Sequence, residues 1–228
     1  MQLTRRDERM LDWLSVVRMA DIDAIRWALA GLRNGHAEQP VTIRRANQWI
    51  ARLAGAGLVG RVRPIHRDRQ IVWPTLKACG RSAPKLFRQT MRHELAVAAI
   101  SGRYLAQGYT WTRDLHSQFR AHQVDGVATR GEEIDLVEVE LTAKTISRYK
   151  AIHADHGRRL VGEVSRVVYF CTEPVAQVVS READKFVFRN ERPRLVTAPV
   201  LDDQGKWLEQ IAVDGDLWPS ARGIRPAR

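Results

Sequence analysis

The sequence predicts an α/β chain (α+β overall) made of two unlike parts, and three observations carry that prediction. Apolar residues recur at helical spacing three times before residue 54, and a basic stretch with alternating apolar residues follows. Beyond residue 88, helical and alternating patterns interleave in the order helix, three strands, helix, strand. Charge changes at the same place. Residues 1–88 hold 17 Lys+Arg and 7 Asp+Glu, a balance of +10, whereas 89–228 hold the remaining 20 and 19, a balance of +1. The expected units are 1–82, 89–212 and a Pro-, Gly- and Arg-rich flexible tail at 213–228, joined through the short linker Arg81–Lys85.

In the first unit, Thr4 and Asp7 make a capping-box-like start. Met10, Leu11, Leu14 and Val17 then follow at helical spacing. Asp21 caps a second helix through Ile22, Ile25 and Leu29, which Asn34-Gly35 ends. Thr42 caps a third, Ile43 to Leu53, with Ala46, Trp49, Ile50 and Leu53 as its buried stripe. Arg44, Arg45, Gln48 and Arg52 fall on the opposite face. Gly55 and Gly57 end this helix, and Leu58 to Trp73 reads as a two-stranded basic wing carrying Arg61, Arg63, Arg67 and Arg69. Three helices and a basic hairpin resemble a winged helix-turn-helix. Arginine contacts phosphates or pairs with guanine, and glutamine reads adenine, so the eight named side chains are the expected contacts to double-stranded DNA. An ordinary solvated basic face is the other reading of the third helix.

In the second unit, Gln89 to Gln107 is helical, with Leu95, Ala98, Ala99 and Gly102 on a close-packing face. Strands are expected at Tyr109–Leu115, Gln123–Ala128 and Ile134–Leu141. Thr142 is expected to cap a helix to about His156. A strand at Arg166–Thr172, a helix at Pro174–Glu182 and a strand at Lys185–Phe188 complete the order.

The chemistry concentrates in His122-Gln123-Val124-Asp125-Gly126 and in Val137-Glu138-Val139-Glu140-Leu141-Thr142-Ala143-Lys144. Glu138 and Glu140 point to one face of their strand, because side chains alternate. A hairpin through Arg130-Gly131 brings Asp125 beside them. Buried carboxylates must be paired, protonated or bound to a cation. Asp125, Glu138 and Glu140 are therefore a candidate Mg2+ set, with Mn2+ as substitute. Such an ion activates water and stabilises charge on phosphate. Lys144, at the start of the next helix, is the candidate ammonium for that phosphate.

Asp125, Glu138-Val139-Glu140 and the α-β-β-β-α-β order resemble the PD-(D/E)XK nuclease superfamily. In the family pattern a proline precedes the aspartate, and here Val124 stands there. The family lysine position holds Glu140, and Lys144 takes the place of a migrated lysine. Glu94 matches the extra acid that many members carry on the preceding helix. The whole layout, a winged helix followed by His-x-x-Asp-Gly, Glu-Val-Glu-Leu-Thr-x-Lys and Arg-Tyr, resembles the replication-relaxation family over about residues 4–170. That resemblance implies a mobile-element protein handling plasmid DNA in replication, mobilisation or relaxation. Its implied partners are duplex DNA, other replication or transfer proteins and a second copy of the chain. Its implied place is the bacterial cytoplasm, at the nucleoid or plasmid. Two activities are open: metal-dependent nicking, or a non-catalytic accessory factor or transcriptional regulator on a degenerate nuclease fold used for dimerisation.

Plainer readings stand beside these. Asp125-Gly126 also fits a turn, and the two glutamates also fit the outer face of an edge strand. Glu94 also fits a helix N-terminal acid. Lys144 also fits a solvated side chain. His93 and His122 read as proton relays or as ordinary histidines. Tyr149 shares the apolar helix side with Ile146 and Ile152 and reads as core rather than as a nucleophile. No Gly-rich phosphate loop occurs. No apolar run approaches a membrane span, and the N-terminus lacks the apolar core of a signal peptide. Cys79 and Cys171 are far apart and fit a reducing cytosol rather than a zinc or disulfide framework.

Overall fold

The computed structural model describes residues 2–64, 69–86, 90–114 and 122–208. Helix α1 (Arg5–Val17) begins with a complete capping box. The Thr4 hydroxyl accepts from the Asp7 amide, and the Asp7 carboxylate accepts from the Thr4 amide at 2.9 Å. Strand β1 (Ala20–Asp21) leads into α2 (Ile22–Asn34), where Asp21 accepts from the Ala24 amide at 2.8 Å and Gly35 closes the helix in the left-handed conformation. Helix α3 (Ile43–Gly55) is capped by Thr42 and buries Ala46, Trp49, Ile50 and Leu53, the stripe read from its spacing. Strands β2 (Val59–Val62) and β3 (Ile71–Pro74) pair antiparallel, and β1 adds to β3, giving the sheet order β1-β3-β2. Three helices with a three-stranded sheet in that order are the winged-helix arrangement. A short helix α4 (Leu76–Cys79) follows.

The second part opens with α5 (Met91–Ala106) and a mixed five-stranded sheet. Strands β4 (Thr110–Thr112), β5 (Gly126–Arg130) and β6 (Glu133–Glu140) run antiparallel in sequence. Helix α6 (Ile146–Val161) returns the chain so that β7 (Arg166–Cys171) lies parallel to β6. Helix α7 (Glu173–Phe186) returns it again, and β8 (Leu195–Ala198) lies parallel to β7. The α-β-β-β-α-β order is the expected one, but several bounds move. The helix and strand read at Pro174–Glu182 and Lys185–Phe188 are one helix to Phe186, and the outer strand lies at Leu195–Ala198. Val175, Ala176, Val179 and Ala183 share its buried face, and the Lys185 ammonium meets Glu182 at 2.8 Å. A short apolar run such as Lys185–Phe188 does not reveal its own period. Thr142 is likewise not the cap of α6; Thr145 is, and the helix extends to Val161.

The sheet is packed on both faces. Val137, Val139, Val168 and Phe170 face α5 and share a core with it. Leu136, Val167, Tyr169 and Cys171 face the other way and pack with Tyr149, Leu160, Val175 and Val179 of α6 and α7. Glu138 and Glu140 are in phase with Leu136, so they point into the layer beneath α6 rather than to an outer edge face. Asp135, in phase with Val137, meets α5: it accepts from the Tyr104 hydroxyl at 3.0 Å and holds Arg166 through both carboxylate oxygens at 2.8 Å.

Helices α2 and α5 join the two parts through backbone approach. A Cβ on Gly31 would stand 2.2 Å from the Leu105 carbonyl oxygen, and one on Gly102 would stand 2.7 Å from that of Ala24. Only glycine permits that crossing. The Trp13 indole donates to the Ser101 hydroxyl at 3.0 Å across the same seam, and residues of both parts share one apolar cluster. Among the described residues no helix is long and apolar enough to cross a membrane.

Candidate functional site

Two surfaces hold the residues singled out in the sequence. On α3, Arg44, Arg45 and Gln48 are exposed, and neither arginine has an acidic partner among the described residues. Arg61 and Arg63, on and just past β2, are exposed as well. Arg67 lies outside the described residues. Two other arginines, Arg52 and Arg69, also pair with acids of the chain. Arg52 pairs with Asp7, whose carboxylate also accepts from the Trp49 indole at 2.9 Å, so Arg52 fastens α3 to α1. Burial raises the Asp7 pKa, but the hydrogen bonds from Arg52, Thr4 and Trp49 outweigh it and hold the carboxyl well below the usual range. Arg69 lies 3.5 Å from Asp21 and 3.6 Å from Asp23 at the start of α2. Beside α3, Arg6, Arg33, Arg45, Gln48 and Arg52 line a basic cavity of about 470 Å³.

The second surface is a cleft of about 560 Å³ at the carboxyl end of β6. Asp125, Glu138, Glu140 and Lys144 all line it, together with His93 and His122. Pairing of Gly126 with Val137 sets the register that brings Asp125 alongside Glu138. Glu94 lines an adjoining cavity of about 510 Å³ that shares His93, Gln123 and Asp125 with the cleft and also touches Val16, Val17 and Arg18 of α1.

Each carboxylate is engaged separately. Asp125 accepts from the Val139 amide at 2.8 Å and lies 3.2 Å from His93 Nε2. Glu140 accepts from the Tyr149 hydroxyl at 2.9 Å and pairs with the Lys144 ammonium, which reaches back from the loop before α6 and is not on its first turn. Glu138 meets two imidazoles: His122 Nε2 and, at 3.1 Å, His156 Nε2, both on Oε1. Asp125, Glu138 and Glu140 thus line one cleft, each with its own partner. Among the described residues the group whose donor atoms lie within 4.8 Å of one another is His122, Glu138 and His156.

The reason is the inner face of α6. Tyr149, His153, His156 and Leu160 follow one another there at helical spacing, and the first three lie over the glutamates and Tyr169. Glu138 and Glu140 are only 3% and 2% exposed, so without these partners their charge would be costly. Burial pushes the Glu138 carboxyl up, yet the neighbouring imidazoles of His122 and His156 outweigh that and hold it at about 2. Burial pushes the His122 imidazole down, and its bond to Glu138 more than reverses this, so its pKa is raised. His93 behaves in the same way toward Asp125. Among the described residues His153 has no carboxylate partner and neither of its ring nitrogens makes a hydrogen bond. Burial, then the neighbouring His156, lowers its pKa to about 4. Tyr149 is fully buried, in keeping with core packing, while Ile146, read on the same side, is exposed.

His153 and His156 were not read as site residues. Their signal was available in combination only: Tyr149, His153 and His156 at spacings of four and three, opposite two glutamates at a spacing of two. No family model, curated protein or solved structure matches the chain.

Proposed function

We propose that this chain is a duplex-DNA-binding protein of a mobile element, of the replication-relaxation kind, whose cleft acts on the phosphodiester backbone. The observation that carries the reading is the exposed basic face of Arg44, Arg45 and Gln48 on α3, with Arg61 on β2 and Arg63 just past it also exposed. Exposed arginines without acidic partners on a helix and a wing suit phosphate and base-edge contacts. The arginine-lined cavity next to α3 adds a place for a phosphate.

In this reading the cleft hydrolyses one strand with a divalent cation, Mg2+ or Mn2+. The oxygen of a water molecule forms a new bond to phosphorus, and the bond from phosphorus to one sugar oxygen breaks. The water gives one proton to a cleft base, and the departing sugar oxygen takes up a proton. We assign His93, which meets Asp125 in the cleft, as that base, and the Lys144 ammonium as the cation for the phosphate. Incubating supercoiled plasmid with the protein and Mg2+ or Mn2+ tests this. Wild-type chain yields nicked circles, and Asp125→Asn, which keeps the side-chain shape, does not. Equal nicking by both proteins removes Asp125 from the reaction.

One observation favours a second reading. Lys144 neutralises Glu140, and two histidines occupy Glu138, so no open set of carboxylates faces the cleft. An accessory factor or regulator on a degenerate nuclease fold would bind DNA in EDTA and leave plasmid intact under all metal conditions.

A further inference from the structure

We infer that His122, Glu138 and His156 form a binding site for a borderline divalent transition ion, in the range from Mn2+ to Zn2+, with an open coordination position facing the cleft. The donor atoms of these three residues already lie within 4.8 Å of one another. Two of the residues are built into the interior: Glu138 is 3% exposed and His156 is fully buried. Three elements supply them, namely the segment before β5, strand β6 and helix α6, so the cluster is fixed by tertiary packing.

The contact between His156 and Glu138 is poorly explained as an ordinary hydrogen bond. Nε2 stands 3.1 Å from Oε1, but it lies off the hydrogen-bonding direction and makes no hydrogen bond among the described residues. A buried ring nitrogen is rarely left so. The other nitrogen, Nδ1, meets the Tyr169 hydroxyl at 3.2 Å. Metal-binding imidazoles commonly carry such a partner on the second nitrogen, which fixes the tautomer and leaves the first lone pair for the ion. With Nδ1 protonated toward Tyr169, the Nε2 lone pair is left open next to the Glu138 carboxylate, and a cation bound to both offsets the two electron-rich groups.

The donor set selects the ion. Two imidazoles and one carboxylate suit Zn2+, Co2+ or Mn2+, whereas Mg2+ prefers oxygen ligands and keeps its waters. Three protein ligands leave a coordination position open, the pattern of reactive rather than structural sites. His122 and Glu138 line the cleft with Asp125, Glu140 and Lys144, so that position opens where a phosphate would enter. The use of the ion in strand cleavage rests on the function proposed above, but ion binding itself does not.

The test uses the full chain with Co2+ as a spectroscopic probe and Zn2+ in calorimetry. Wild-type protein takes up one ion per chain, shows visible Co2+ absorption, and melts at a higher temperature with Zn2+. His122→Gln and His156→Gln lose the absorption and the melting shift, and Tyr169→Phe weakens binding by about 10- to 100-fold. If His156→Gln does not fold, His122→Gln at its partly exposed position decides the matter. Absence of Co2+ uptake by wild type, or uptake that survives His122→Gln, overturns the inference. Plasmid nicking is scored on the same preparations. Uptake without nicking keeps this site and overturns the cleavage reading. Nicking with Mg2+ that is indifferent to His122→Gln, without Co2+ uptake, does the reverse.

Discussion

The basic face of α3 and the cleft beside β6 treat charge in opposite ways. On α3 and the wing strand, Arg44, Arg45, Arg61 and Arg63 stand in solvent without acidic partners among the described residues. In the cleft, three acids each have a cation or an imidazole against them: Asp125 with His93, Glu138 with His122 and His156, Glu140 with Lys144. Solvated charges cost little to leave open and are free to release counterions to a polyanion. Buried charges must be balanced inside the protein. An excess of basic charge can therefore be read from the sequence alone, whereas the buried acids depend on how their partners are arranged.

The comparison is broken most severely by removing a buried acid. Asp135→Ala removes the buried carboxylate that Tyr104 and Arg166 both meet at the sheet, and the expected loss is about 4 kcal/mol in urea unfolding. Asp7→Ala removes a cap and the anchor of both Trp49 and Arg52, with an expected loss of about 3 kcal/mol at neutral pH. This second loss depends on pH in a fixed direction. The folded Asp7 carboxyl titrates below its ordinary value of 3.8, so its contribution is complete above that value and fades as pH falls toward the folded pKa. Wild type and Asp7→Ala should converge in stability below pH 3.8, and a gap that stays constant into acid would disprove the assignment.

Changes on the open face should leave folding alone and act on DNA. Four phosphate contacts imply a loss of affinity of about 100-fold between 50 and 200 mM salt in fluorescence anisotropy. Affinity that is flat with salt would remove the basic face from the interface. Arg44→Ala should cost about 1 kcal/mol in DNA binding and lower the salt slope by about 1, with an unchanged melting temperature. The smallest effect belongs to Arg52→Lys. Because Arg52 is spent on Asp7, this change should shift stability more than DNA affinity, the reverse of Arg44→Ala.

Much of the first part was legible because its signals are local. Thr4, Asp21 and Thr42 are caps in the structure as they are in the sequence, and the buried stripe of α3 is the one its spacing gives. The strand carrying Glu138 and Glu140 and their common orientation were also legible, since alternation requires only the strand itself. Bounds near the end of the chain were not, because Lys185–Phe188 is too short to show whether its period is that of a helix or a strand. Nor was the commitment of Arg52 and Arg69, whose acids lie 45 residues away in one case and on another element in both.

The sequence by itself determined the α/β class, the placement of excess positive charge in residues 1–88, and the fact that two glutamates share one face of a strand. Only the tertiary structure decided which face that is. The parallel return of β7 lays α6 over the Glu138 side of the sheet, and its inner residues Tyr149, His153 and His156 meet the carboxylates there. A period of two fixes which residues point together, but what they point at is set by a helix that packs back only after the chain has turned. Three carboxylates that look like one hard-cation set in sequence are thereby divided among separate partners, and a histidine pair that is inconspicuous in sequence closes on Glu138.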